Sequence, residues 1–322
     1  MSSVLDSATT MFLEGMRAAG GRPACEQTPD EFRAVVAMAS AQCAAPPAAV
    51  ERVEDRRIPV EGGDIGVRIY TPRPPGTGAT LPLVLQFHGG GFVAGDLDTH
   101  DSISRYYAAH ADAIVVAVDY RRPPEHRFPA AVEDSYAALV WAAGEAAALQ
   151  GDPARLAVTG DSAGGNLSAV LCRLAKERGG PRIAFQALVY PAVDFHSDLA
   201  GAFPSRAQFG TGDYFLSTRD MEYFRRHYLA DPAAESADPR VSPLNAADLS
   251  GQPPALVVTA GCDPLRDEGK AYADRLAAAG VSVEYRCFEG TIHACLSFAG
   301  VIPAGAEALA FVASRLRAAL HS

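Results

Sequence analysis

Apolar residues recur along this chain in two rhythms, and their order predicts the architecture. Continuous apolar runs at LPLVLQF (81–87), AIVVAVDY (113–120), RLAVTG (155–160), IAFQALVYP (183–191) and PALVVTAG (254–261) are short and separated by helical or turn patterns. Such runs predict strands buried on both faces, which belong to parallel sheets. Between them, helical spacing of apolar positions predicts helices around 99–110, 130–149, 163–178 and 264–279, and VSVEYRCFE (281–289) predicts a last strand ahead of a C-terminal helix over 304–320. Repeated strand-helix alternation implies right-handed crossovers and an α/β fold, a mostly parallel central sheet flanked by helices on both sides.

Three segments stand outside that alternation. Residues 1 to about 50 are alanine-rich, place Phe32, Val35, Val36 and Ala39 at helical spacing and stop at Ala45-Pro46-Pro47, which predicts a helical N-terminal segment. From Arg57 to Tyr70 the pattern alternates around Gly62-Gly63 as a hairpin of two short strands, and the Pro/Gly-rich stretch 71–82 predicts a surface turn. From Phe195 to about Leu249 no strong strand appears, yet aromatic residues abound, among them Phe203, Phe209, Tyr214, Phe215, Tyr223, Phe224 and Tyr228. An insertion of that length is expected to be a functional lid. The organisation expected is therefore a cap segment at 1–50, a catalytic body at 51–194 and 250–322, and an insertion at 195–249 contributing to the cap.

Charge narrows the partners. In 322 residues, 28 basic against 38 acidic side chains give a formal charge of −10, with no basic block beyond pairs such as Arg56-Arg57 and Arg121-Arg122. Nucleic acid, which needs clustered positive charge, is not an expected partner. The N-terminus lacks a basic leader region, Asp6 and Glu14 interrupt its apolar residues, and no run approaches the roughly 20 apolar residues of a membrane span. A soluble cytoplasmic protein without stable membrane insertion is expected. Six cysteines without a C-x-x-C pair fit a reducing compartment.

The candidate chemistry starts at AVTGDSAGGNLSAVL (157–171), where Ser162 follows a predicted strand and precedes a predicted helix. G-x-S-x-G in that setting is a nucleophile elbow, with small residues at 160 and 164 permitting a strained turn that presents the serine hydroxyl. The alternative is that Ser162 merely caps the helix. His88-Gly89-Gly90-Gly91 follows the strand 81–87, and three glycines there let backbone approach a ligand, so the N–H groups of Gly89, Gly90 and Ala163 are the expected oxyanion donors. His88 is expected to orient that loop. In α/β hydrolases the acid and base follow the serine in chain order, which selects Asp263 at the end of the strand 254–261 and His293 on the loop after the last strand. Asp267 and Glu268 read as first-turn acids of the next helix. His100, His110, His126, His196 and His227 show no metal-ligand spacing, and neither a phosphate loop nor a dinucleotide fingerprint is present, so no metal and no cofactor are expected.

With these residues placed, the chain resembles the bacterial hormone-sensitive lipase family of α/β-hydrolase carboxylesterases. The resemblance rests on FHGGGFVAGD (87–96), VDYRRPPEHRFPAAVED (118–134), VTGDSAGGNLS (158–168), LVYPAVD (188–194), GCDPLRDEG (261–269) and GTIHACLSF (290–298), and covers roughly residues 57–320. It implies hydrolysis of small-molecule esters with short to medium acyl chains, a helical cap, no cofactor and, in many members, a homodimer. It carries Ser162, Asp263 and His293 over as triad and Gly89, Gly90 and Ala163 as oxyanion donors. Two departures are visible. Ala294-Cys295 stand where the family usually has glycine and an aromatic, and Arg122-Pro123 stand where it often has leucine-alanine. The first implies a differently shaped wall near the base, and Cys262 and Cys295, adjacent to triad members in sequence, are expected to make the enzyme thiol-sensitive. Two other functions remain open on sequence: an amidase or lactonase using the same nucleophile, and a ligand-binding protein of the same fold, which retention of all three triad residues disfavours.

Overall fold

The computed structural model of the chain describes residues 4–74, 76, 80–197 and 201–321. Its strands are β1 (Arg52–Val60), β2 (Gly63–Thr71), β3 (Leu81–Phe87), β4 (Ile114–Asp119), β5 (Gly151–Asp161), β6 (Phe185–Val189), β7 (Ala255–Cys262) and β8 (Val283–Ile292). They form one 8-stranded sheet in the order β1-β2-β4-β3-β5-β6-β7-β8. Only the β1–β2 and β2–β4 pairings are antiparallel; every pairing from β4 through β3 to β8 is parallel.

The helices are α1 (Ser7–Ala18), α2 (Pro29–Cys43), α3 (Asp101–Ala111), α4 (Ala130–Gly144), α5 (Ala163–Glu177), α6 (Pro204–Phe209), α7 (Thr218–Tyr228), α8 (Pro232–Glu235), α9 (Arg266–Ala278) and α10 (Pro303–Leu320). Successive strand residues point to opposite faces, so the apolar runs feed two cores at once. Leu83, Leu85, Val116 and Val158 pack with Leu139 of α4 and Leu167 and Val170 of α5. Their neighbours Val84, Val115 and Ala157 pack with Tyr107 of α3 and Leu309 and Val312 of α10 on the other face. All seven residues of β3 and all eight of β7 are buried, the pattern of a sheet covered on both sides. Each fully buried leucine or valine contributes about 1.5–3 kcal/mol relative to exposure.

Several boundaries move relative to the pattern-based reading. The N-terminal segment is two helices, parted at Gly20-Gly21 and Pro23. The helix expected over 130–149 ends at Gly144, and the strand expected from 155 begins at Gly151. That extension pairs Gly151 with Leu81 before the register shifts at Leu83, and a Cβ at position 151 would lie 2.6 Å from the Leu83 side chain, which any larger residue there would have to displace. The hairpin closes as expected, with Val60 opposite Gly63 and Gly62 at φ +79. In the expected turn at 71–82, residues 75 and 77–79 lie outside the described residues, as do 1–3 of the N-terminal segment and 198–200 of the insertion.

This topology positions the chemistry. The strand order reverses around β3, which lies between β4 and β5, and the loops following parallel strands all emerge at the carboxyl edge of the sheet. His88–Gly91 follow β3, Ser162 follows β5, Asp263 follows β7 and His293 follows β8. Residues of α1 and α2 and of the segment 195–249 line the same cavity as that edge.

Candidate active site

Ser162 occupies the turn between β5 and α5 at φ 56 and ψ −116, a strained conformation for a residue with a side chain. The strain is over-determined by its surroundings. A Cβ on Gly164 would lie 2.0 Å from the Phe87 carbonyl oxygen, and one on Gly160 would lie 2.4 Å from Gly164. Although Ser162 is the N-cap residue of α5, its side chain makes no capping hydrogen bond. Its Oγ lies 2.9 Å from His293 Nε2 instead.

His293 Nδ1 lies 2.7 Å from Asp263 Oδ2, and Asp263 Oδ1 accepts the Leu265 N–H at 2.8 Å. The structure therefore joins the three candidate triad residues, which come from three separate loops, in one hydrogen-bonded chain. All three are buried, with Asp263 wholly inaccessible. The Tyr190 ring packs at 4.9 Å from the imidazole and fixes its tilt.

The oxyanion expectation needs one correction. The Gly89 N–H donates to the Asp161 carboxylate at 3.0 Å, so it is committed to the protein and not available to a substrate oxygen. The N–H groups of Gly90, Gly91 and Ala163 have no hydrogen-bond partner among the described residues, and all three residues line the cavity beside Ser162. Gly91, and not Gly89, therefore joins Gly90 as an unpartnered amide of this loop. Gly90 and Gly91 sit at φ +108 and +61, and a Cβ on Gly90 would lie 2.3 Å from the Ala94 carbonyl oxygen. Sequence reading could not separate three consecutive glycines, because which amide faces the cavity depends on the path of the loop.

His88 orients that loop. Its Nδ1 lies 2.9 Å from the Gly89 carbonyl oxygen, its ring stacks on Tyr120 at 4.2 Å, and the Tyr120 hydroxyl donates to the His88 carbonyl at 2.7 Å. Burial first, and then the nearby His100 and Arg122, hold its pKa well below 6.5, so it is neutral. Two residues not singled out from sequence complete the support: His100 Nε2 lies 3.2 Å from Asp161 Oδ1, and both line the cavity. The x of G-x-S-x-G thus carries a carboxylate that holds the oxyanion loop against the elbow.

Above these groups lies a cavity of about 770 Å³. Its walls are mainly apolar, with Leu13, Phe32 and Val36 from the N-terminal helices facing Phe215, Met221 and Phe224 from the insertion. Among the described residues no cluster of three or more His, Cys, Asp or Glu side chains is arranged to hold a metal. No helix of the described residues is long and apolar enough to cross a membrane. All six cysteines are free thiols. Cys262 and Cys295 are each about 1% exposed, and burial pushes their thiols up to about 11 and about 12. Neither is the accessible thiolate that thiol sensitivity requires, and that expectation is withdrawn.

Comparison with known proteins agrees with this geometry. A family model described as alpha/beta hydrolase fold matches residues 84–297, the span from β3 to just past His293. The chain belongs to this family. Its relatives there include esterases of the hormone-sensitive-lipase-like group. Carboxylic ester hydrolase LipN of Mycobacterium tuberculosis is 49% identical over 250 residues, 76% of this chain and 64% of that protein's own length. Carboxylesterase NlhH of the same species is 46% identical over 84% of both chains. Among solved structures, an ester hydrolase from the Lake Arreo metagenome, in complex with a bipyridine phosphonate derivative, superposes with a TM-score of 0.91 at 40% identity, covering 99% of this chain and 100% of that one. A thermostable esterase from Pseudomonas putida superposes at 0.92 with 36% identity and 99% coverage of both. The hydrolase is thus an enzyme of the carboxylic ester class.

Proposed function

We propose that this α/β hydrolase is a serine carboxylesterase that cleaves short- to medium-chain acyl esters through an acyl-enzyme on Ser162. The observation that carries the reading is the chain Ser162 Oγ, His293 Nε2, His293 Nδ1, Asp263 Oδ2, with links of 2.9 and 2.7 Å. His293 takes the Ser162 proton as Oγ attacks the ester carbonyl, while Asp263 holds the imidazole tautomer and stabilises the imidazolium. The tetrahedral oxyanion is received by the N–H groups of Gly90, Gly91 and Ala163, each worth roughly 3 kcal/mol in sites of this kind. Collapse expels the alcohol, which His293 protonates; water deprotonated by His293 then releases the acid from Ser162.

The mainly apolar cavity of about 770 Å³ favours neutral acyl chains of limited length. Segments 1–50 and 195–249 are read as the cap over it. Homodimerisation and a cytoplasmic site of action belong to the same proposal; sedimentation of the full chain checks the first. The test of the reaction is initial rates on p-nitrophenyl esters from acetyl to palmitoyl, beside Ser162→Ala. The expected result is a short- to medium-chain optimum and a fall of about 10⁶-fold in kcat for the variant. Turnover that survives Ser162→Ala would remove the acyl-enzyme mechanism.

A further inference from the structure

The insertion over the cavity is held by a buried group of charges that the catalytic chain does not use. Arg206, in the short helix α6, is 1% exposed. Its Nη2 donates to Glu268 Oε2 at 2.5 Å, to Asp194 Oδ2 at 3.2 Å and to the Asp194 carbonyl at 2.8 Å, and its Nε reaches Glu268 Oε2 at 3.2 Å. The other Glu268 oxygen accepts the N–H groups of Val193 and Asp194 at 2.8 and 3.3 Å. Glu268, expected from sequence to be an ordinary first-turn helix acid, is instead wholly buried.

The partners belong to the parts of the body that carry the reaction. Asp194 ends the segment after β6, in which the Ala192 N–H donates to the Ser162 carbonyl at 3.2 Å. Glu268 lies in the first turn of α9, directly after the loop bearing Asp263. A second set of bonds runs in parallel: the Ser205 N–H donates to Asp267 Oδ2 and the Ser205 hydroxyl to the Pro264 carbonyl, each at 2.8 Å.

From α6 the chain is hydrogen-bonded on toward the cavity wall. The Gly210 N–H donates to the Arg206 carbonyl at 3.0 Å, and the Thr218 N–H donates to the Gly210 carbonyl at 2.9 Å. Phe224 of α7 then packs so close to the oxyanion loop that a Cβ on Gly91 would lie 2.4 Å from its ring. A shift of the insertion at Arg206 is therefore transmitted to the wall that faces the reacting carbon.

Resting on the esterase reading above, we propose that Arg206, with Asp194 and Glu268, is a selectivity-determining positioning residue: it fixes the insertion in the one register at which the cavity discriminates esters by acyl length. Ion clusters of this kind add little net stability over apolar packing, yet they are costly to break because a charge is left buried and unpaired. They therefore suit the specification of register. A lysine at 206 keeps the charge but lacks the fork that reaches both carboxylates.

The test compares wild type, Arg206→Lys and Ser205→Ala at pH 8, measuring kcat/KM on p-nitrophenyl esters from acetyl to dodecanoyl, with active sites counted by titration of Ser162 with an organophosphate. For Arg206→Lys, the ratio between the best and worst chain lengths is expected to flatten about tenfold, the scale on which apolar pockets discriminate by size, while kcat per titrated site on acetate stays within about threefold. Ser205→Ala removes only neutral bonds and is expected to flatten the profile in the same direction, which keeps the test decisive if the lysine variant does not fold. A loss of titratable sites with an unchanged chain-length profile would overturn the inference, since it marks a role in folding alone. Wild-type protein without Ser162-dependent turnover would overturn the esterase reading itself, a result visible before any cap variant is compared.

Discussion

Ser162 and Ala294, on either side of the Ser162–His293 hydrogen bond, are non-glycine residues at positive φ. Ser162 at φ 56 is held there by the close approach of Gly160 and Gly164 to their neighbours, and the strain presents its hydroxyl to His293. Ala294 sits at φ 62 and ψ 18, immediately after His293, where the resemblance leads one to expect glycine. The conformation accounts for that preference: a side chain in the left-handed region costs about 1 kcal/mol, and glycine does not. Ala294→Gly is accordingly expected to stabilise the fold by about 1 kcal/mol in denaturant unfolding, with the Ser162–His293 hydrogen bond retained. An unchanged or lower midpoint would mean that the turn is not strained. The neighbouring Cys295 is buried in the core with Tyr190, Leu296 and Leu309 and does not line the cavity, whereas Ala294 does.

At the scale of elements, the helices that line the cavity differ in kind from those packed on the sheet. α5 buries most of its length and is fixed by packing, whereas α2 has no fully buried residue. Local signals therefore hold α2. Thr28 accepts the Glu31 N–H while Glu31 accepts the Thr28 N–H, and Pro29 stands at the first helical position. Arg33 anchors the helix to the body, forking onto Glu125 at 2.8 and 2.7 Å and donating to the Val93 and Pro123 carbonyls, each at 2.9 Å. The segment RPPEH, which holds Pro123 and Glu125, thus serves as the dock of α2. Thr28→Ala is expected to weaken α2 by about 1 kcal/mol, read as faster hydrogen exchange across 29–43 with the amides of β3 unaffected. Exchange unchanged over that helix would mean that Arg33 alone sustains it. On the other side of the cavity α7 repeats the device: Ser217 and Asp220 form a capping box, and Asp220 also accepts the Cys25 N–H at 2.9 Å, tying the N-terminal segment to the insertion.

Across the whole molecule, the cluster that joins α6 to α9 makes stability depend on pH. Burial pushes Glu268 up to about 7, with Asp194 acting in the same direction and Arg206 and the Val193 N–H opposing it. The folded protein then holds a proton that the unfolded chain, with an ordinary glutamate near 4.5, has already released. Stability from this group is complete below about pH 4.5 and lost as pH rises toward about 7, on the order of 3 kcal/mol in total, and is flat above that. Thermal unfolding of wild type and Glu268→Gln between pH 5 and 8 is expected to show a falling difference that levels off near neutrality. A difference independent of pH would mean that Glu268 is ionised throughout. The same proton neutralises a cluster of one cation and two carboxylates, so the charge balance at the cavity wall changes over this range.

The order of apolar runs determined by itself the α/β sheet, the G-D-S-A-G and H-G-G-G stretches the elbow and the glycine loop, and the order of acid and histidine after Ser162 pointed to Asp263 and His293, now found with it in one hydrogen-bonded chain. Strand burial and turn strain are written in local residue types, and the loops that follow parallel strands must converge on one edge. What only the tertiary structure decided lies between segments distant in the chain. That the Gly89 amide turns to Asp161, leaving Gly91 for the cavity, depends on how the β3 loop crosses the elbow. That Glu268 is a buried partner of Arg206 depends on where a 62-residue separation brings α6 against α9. Neither contact has a local signature, because a carboxylate in the first turn of a helix reads alike whether water or a guanidinium faces it.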